Sequence, residues 1–199
     1  MTWKFLSAWL HGVRPPWLGV FALLTLTQCL AMPAAQSADL EREARIKAAI
    51  VFKLVKFVQW PKDRPGVNSS DLVLCTLGGG PVADALRATE GRSVGSRTIR
   101  YYDAVSVRSM DQCHVLFLNE TEYANLDKIL SVTKGSGTLL VSDQKDFAER
   151  GGAVGLVVGD NRVRFHINLR AVRDEGLVIP APVLELADLV NSDGGASKR

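Results

Sequence analysis

The sequence predicts an α/β domain: a mostly parallel sheet flanked by helices and ended by an antiparallel hairpin. Three observations predict it. Strand-like and helix-like runs alternate between residues 72 and 143, the pattern of parallel strands joined by helical crossovers. Runs such as Val115 to Leu118 are continuously apolar, as strands covered on both faces are. The stretch AVGLVVGDNRVRFHIN (153–168) then changes to two strands about the two-residue turn Asp160-Asn161.

The first 38 residues stand apart from that domain. Lys4 and Arg14 precede the apolar run Trp17 to Ala31, and small residues follow, with Ala35 and Ser37 at −3 and −1 of a cleavage site. This is the pattern of a secretory signal peptide over 1–38, and the run is shorter than the roughly 20 apolar residues a spanning helix needs. Its removal takes two cations and no acid, so 24 Lys+Arg become 22 against 21 Asp+Glu, and the formal charge falls from +3 to +1. That balance excludes a nucleic-acid footprint. The remaining 161 residues suit one domain, 39–190, with 191–199 as a flexible tail.

The elements follow in order. EREARIKAAIVFKLVKFVQW (41–60) predicts a helix stopped by Pro61, with acids early and lysines late, as the helix dipole favours. Val51, Leu54, Val55 and Val58 form its apolar stripe; Ile46, Ile50, Phe57 and Trp60 widen it, leaving Lys53, Lys56 and Gln59 polar. Strands are predicted at 72–77, 98–105, 114–119 and 138–143, and helices at 81–90 and 122–134. In the hairpin, pairing outward from the turn sets Val158 against Val163, Leu156 against Phe165 and Val154 against Ile167. A short helix and PVLELADLV close the domain, with Val183, Leu186, Ala187 and Val190 on one helical face.

The chemistry is sparse. Gly78, Gly80 and Ala83 fit G-x-G-x-x-A after a strand, and Asp103 stands where a dinucleotide fold keeps its ribose carboxylate. Pro81 suits the first position of an ordinary helix but removes one N–H from any phosphate cradle. The glycines read as a tight turn. His114 and His166 lack metal-ligand partners at i+4, no nucleophile elbow occurs, and Asp143 reads as the cap of a short helix starting near Gln144. No catalytic residue, cofactor or metal is predicted. Cys75 and Cys113 remain once Cys29 is removed, and an even pair in an exported chain favours a disulfide over two separate buried thiols. The breadth of the first helix's apolar face makes Phe57 and Trp60 candidate partner-binding residues, against a purely core role.

KAAIVFKLVKFVQWP (47–61), LVLCTLG (72–78), CHVLFLN (113–119), TLLVSDQKDFAERGG (138–152), VRFHINLRAV (163–172) and VLELADLV (183–190) resemble, in that order, the YfiR-like family of periplasmic proteins. The resemblance covers nearly the whole chain after residue 38. It implies a disulfide at Cys75 and Cys113. Some members carry a second cysteine pair near 147–156; none occurs here, so redox sensing through that pair is not implied. It further implies a non-enzymatic role: binding the periplasmic part of a membrane-bound diguanylate cyclase and holding it inactive, which lowers cyclic-di-GMP and biofilm formation. An outer-membrane lipoprotein as a second partner and a homodimer are implied with it. Two other classes stay open, a periplasmic small-ligand sensor for a membrane kinase with its pocket at the carboxyl strand edge, and a nucleotide enzyme built on the glycine turn.

Overall fold

The computed structural model describes residues 32–64, 66, 69–103, 107–159, 162–191 and 195–196. The chain divides into two compact units at Asp39 and Leu40, and all contacts below lie within the second. The signal-peptide run and the Asp160-Asn161 turn lie outside the described residues. Among those described, no helix is long and apolar enough to cross a membrane.

A first helix, α1 (Met32–Leu54), leads into β1 (Asp71–Leu77), α2 (Pro81–Arg87), the two-residue β2 (Ser93–Val94) and β3 (Arg97–Asp103). A 3-10 turn (Val107–Gln112) precedes β4 (Val115–Leu118), and a second (Glu120–Asn125) precedes α3 (Leu126–Thr133) and β5 (Leu139–Ser142). The hairpin β6 (Val154–Gly159) and β7 (Arg162–Asn168) follows, then α4 (Leu169–Asp174), α5 (Ala181–Leu184), β8 (Asp188–Asn191) and β9 (Gly195–Ala196).

One sheet runs in the order β2-β3-β1-β4-β5-β6-β7-β8-β9. The pairs from β3 through β1, β4 and β5 to β6 are parallel. The β6–β7 register is that expected: Val154 pairs with Ile167, Leu156 with Phe165 and Val158 with Val163.

Because successive side chains point to opposite faces, each central strand supplies two cores. Leu72 and Leu74, Val115 and Phe117, Leu139 and Val141 join α1 and α2 on one face. Cys75, Leu116, Leu118 and Leu140 join Met110, Leu126, Ile129 and Phe147 on the other. Both faces are covered, which is why these strands read as unbroken apolar runs.

Three expectations are corrected. The first helix ends at Leu54 rather than at Pro61. Gln59 leaves it to pair with Val178, its N–H donating at 2.9 Å and its carbonyl accepting at 3.0 Å, so the chain is already extended there. The closing segment is not one helix: α5 stops at Leu184, and Asp188, Leu189 and Val190 pair in parallel with His166, Ile167 and Asn168. Leu186, expected on an inward face, is 76% exposed. No helix starts at Gln144; residues 145–151 form turns, and Asp143 caps nothing. Its carboxylate instead accepts from Lys47 Nζ at 2.8 Å, while Ser142 Oγ accepts from the Gln144 N–H at 3.3 Å.

Candidate functional site

In an open parallel sheet the binding crevice lies beyond the carboxyl ends of the strands where the order reverses. Here that point lies between β1 and β4, where the glycine turn follows Leu77 and Asn119 follows Leu118. A turn of the same chain packs closely against two of these glycines. A Cβ on Gly78 (φ +82°) would stand 2.5 Å from Thr121 Oγ1 and 2.9 Å from Asn119 Cβ, and one on Gly80 (φ +131°) 2.9 Å from Asn119 Nδ2. Asn119 is fixed in turn, its N–H donating to Leu77 and its Oδ1 accepting from the Thr121 N–H. These glycines admit a neighbouring turn of the same chain where a side chain would clash.

Asp103 is also engaged. Its carboxylate accepts from the Tyr101 hydroxyl at 2.8 Å, from Thr76 Oγ1 at 3.0 Å and from Arg87 Nη2 at 3.0 Å. The Tyr101 hydrogen bond leads the causes that hold the carboxyl below the usual range, with Thr76 and Arg87 adding to it against partial desolvation.

Cys75 and Cys113 are joined in a disulfide, with Cα atoms 5.8 Å apart. The parallel register makes the contact local: Leu74 pairs with Val115, so Cys113 lies just before the neighbouring strand. The Cys113 carbonyl accepts from Thr138 Oγ1 at 2.8 Å and from the Arg64 guanidinium. Arg64, nearly buried, also donates to the carbonyl of Gly137 at 2.9 Å and of Asp111 at 3.3 Å. The sequence carries no signal for this anchor, since an arginine in a polar loop reads as solvated.

His114 is buried. Its Nδ1 accepts from the Val73 N–H at 3.1 Å, which requires a neutral ring, and Trp60 meets it edge-on with centroids 5.7 Å apart. Burial first, then the charges of Arg64 and Arg97, push it down to about 4. His166 lies 3.4 Å from Glu149 and 3.8 Å from Asp188. Among the described residues no cluster of three His, Cys, Asp or Glu could hold a metal.

The two candidate partner-binding residues have separate environments. Phe57 is 53% exposed, as is Val178. Trp60 is half-buried against the core, and its Nε1 donates to the His114 carbonyl at 3.3 Å.

The motif residues that carried the resemblance meet one another. Lys47 reaches Asp143 and Glu43 (2.6 Å). The Phe147 ring occupies the space a Gly152 side chain would need, approaching an added Cβ to 2.1 Å. Asn168, fully buried, donates to the Ala148 carbonyl at 2.8 Å and accepts from the Ala171 N–H at 3.0 Å, tying the 145–151 turn to α4. These residues hold the fold.

The larger open groove lies at the opposite, amino end of the sheet. It measures about 290 Å³ and is lined by the end of α1 and its following turn, by Trp60, by Leu72 and by the β2–β3 turn through Arg97. A smaller cavity of about 150 Å³ lies between the end of α3 and α4.

No functionally curated protein matches the chain. Among solved structures it resembles an ABC domain in complex with L-Trp from Streptococcus pneumonia, at 12% identity and TM-score 0.49, over 74% of this chain and 60% of that one. It also resembles a conserved domain protein from Vibrio cholerae O1 biovar eltor, at 11% identity and TM-score 0.50, over 73% and 59%. The chain thus spans about three fifths of the length of these structures, and the second likeness is one of fold alone. Residues 44–188 match the family described as YfiR/HmsC-like, a span that holds the disulfide, the Lys47–Asp143 pair and the Asn168 tie. The chain belongs to the YfiR/HmsC-like family.

Proposed function

We propose that the protein represses an inner-membrane diguanylate cyclase by binding its periplasmic sensor region, so lowering cyclic-di-GMP and biofilm formation. The family match over residues 44–188 carries this reading. Pro81 at the start of the helix after the glycine turn removes one N–H from any phosphate cradle there, which favours this reading over a nucleotide enzyme. Repression needs only a higher affinity for the inactive than for the active form of the target. On this reading residues 1–38 are a signal peptide, 39–190 the working domain and 191–199 a flexible tail. The protein acts as a homodimer, and an outer-membrane lipoprotein draws it from the cyclase.

Phe57 is the proposed contact. It lies two residues before the Gln59–Val178 bridge and is 53% exposed, and an exposed large aromatic is a usual anchor of binding energy. Trp60 is the second proposed partner-binding residue, half-buried against the core. Deleting the gene and measuring cellular cyclic-di-GMP tests the role: the level should rise, and a membrane pull-down should recover a cyclase. Complementation with Phe57→Asp should fail to lower the level while the variant melts like the wild type. Trp60→Ala should instead lose about 2–4 kcal/mol of stability, as core aromatics do. An unchanged cyclic-di-GMP level on deletion would overturn the repressor role. The groove at the amino end of the sheet favours a second reading, a small-ligand sensor for a membrane kinase, with its site opposite the expected carboxyl edge.

A further inference from the structure

The outward face of α1 combines cations with exposed apolar side chains. Arg42, Ile46, Ala49, Ile50 and Lys53 follow one another at steps of three or four residues and so share one face of the helix. Arg42, Ala49 and Lys53 are exposed, Ile46 is 42% exposed, and Ile50 is partly buried. The winding continues past Leu54: the Lys56 N–H donates to the Lys53 carbonyl at 3.2 Å and the Phe57 N–H to the Leu54 carbonyl at 2.9 Å. That turn adds Lys56 and Phe57, both exposed, three and four residues beyond Lys53. Ala44, Ala48, Val51 and Leu54 turn the other way, into the core.

The acids of the helix do not offset these cations. Glu43, the one acid between Arg42 and Phe57, turns to Lys47 at 2.6 Å. Glu41 is taken by Arg45 at 3.5 Å, and Asp39 precedes the span. Among the described residues no carboxylate comes within ion-pair distance of Arg42, Lys53 or Lys56. Lys56 Nζ lies instead 4.8 Å from the centroid of the Phe52 ring. The face from Arg42 to Lys53 is about 17 Å long, and the following turn extends it.

This pattern decides the chemistry of the partner. Three cations on one face with no counter-charge call for an anionic surface. A protein helix seated here would need a continuous apolar seam, and Lys53 interrupts the one between Ile46 and Phe57. A layer of lipid headgroups needs no fixed partner for each cation, because lysine and arginine stems lie along apolar groups while their charges reach the phosphates. We infer that the outward face of α1 rests on an anionic phospholipid surface, with Arg42, Lys53 and Lys56 at the headgroup phosphates and Ile46 and Phe57 entering between them. Docked so, the chain presents Phe57, the proposed cyclase contact, at the level of the bilayer surface. The docking goes beyond the regulatory reading and stands without it.

Co-sedimentation of the purified protein with vesicles tests it. The protein should bind vesicles of phosphatidylglycerol mixed into phosphatidylcholine, lose that binding in high salt, and leave vesicles of phosphatidylcholine alone in solution. Arg42→Gln and Lys53→Gln, both at exposed positions, should each weaken binding about fivefold, the worth of one cation at an anionic bilayer, while leaving the melting temperature in place. Lys128→Gln, which removes an exposed cation from α3, should bind as the wild type does. Cellular cyclic-di-GMP on deletion of the gene reads the repressor role separately, so the two readings can fail independently. Equal binding to phosphatidylcholine alone would trace to the apolar run 17–31 and overturn the inference, and an equal loss in Lys128→Gln would show a response to net charge and overturn it too. So would full binding after both Arg42→Gln and Lys53→Gln are made together. Saturable binding of poly-glutamate with none to vesicles would overturn it in favour of an acidic protein segment.

Discussion

Lys47 Nζ lies 2.8 Å from Asp143 Oδ2, joining the middle of α1 to the residue that follows β5. Both side chains are largely buried, at 8% and 18% exposure, and Glu43 completes the set from one turn earlier on the helix. Burial works against the charged lysine, but hydrogen bonds to Asp143 and Glu43 and their charges outweigh it and raise its pKa above 10.5. A lysine raised on folding stabilises fully below its unfolded pKa and loses that contribution as pH rises through the folded value. Melting curves at increasing alkalinity should show the wild type losing this increment above pH 10.5, and Lys47→Met should lack that limb. Asp143→Asn should cost about 2 kcal/mol at neutral pH, less than a fully buried pair because Glu43 still faces the lysine.

His114 predicts the acid limb. Its pKa is pushed from 6.5 to about 4 by burial and by Arg64 and Arg97. The unfolded chain therefore takes up a proton first, and stability falls as pH drops from 6.5 toward 4, by about 3 kcal/mol in all. Denaturation at a series of pH values should show that loss in the wild type. His114→Gln should be less stable at neutral pH, since it loses the contact with Trp60, and should have a flatter acid limb. An equal slope in both proteins would show that the loss arises elsewhere.

The disulfide closes a separation of 38 residues. Cys113→Ser should lower stability by about 2–5 kcal/mol, and the wild type in reductant should match it. The Cys113 carbonyl anchors Arg64 and Thr138, so the loss should extend to protection of amides in the 137–139 segment, read by hydrogen exchange.

Gly78→Ala should destabilise by about 2–4 kcal/mol, because it combines a positive φ with an approach to Thr121 that the backbone cannot relieve. Gly79→Ala has nothing within 4 Å of its added Cβ and a φ outside the restricted range, so its melting temperature should stay near that of the wild type. Equal effects at the two positions would mean that the turn is not packed against residues 119–122.

The alternation of residues along each strand determined the sheet. Leu72 and Leu74 had to face away from Cys75, and with apolar residues on both sides the strand had to lie between two layers. The hairpin register followed from the same period of two, since a slip by one residue would have turned Val154, Leu156 and Val158 to the other face. The YfiR-like resemblance was equally legible, because it rests on the order of short motifs.

What the sequence could not determine are the cases where two local patterns fit one segment. Val183, Leu186, Ala187 and Val190 are spaced for a helix, yet the open edge of β7 offered Asp188 to Val190 a row of backbone partners, and the strand prevailed. Phe57 and Trp60 read as one aromatic end; the Gln59–Val178 bridge separated them, leaving one exposed and the other half-buried beside His114. Lys47 and Arg64 carry no local sign of burial; the fold brought Asp143 and the Gly137 and Cys113 carbonyls to them across 96, 73 and 49 residues. Spacing along the chain records which face a residue takes. Which distant group waits on that face is decided by packing, and so was the close approach of residues 119–122 to the glycine turn.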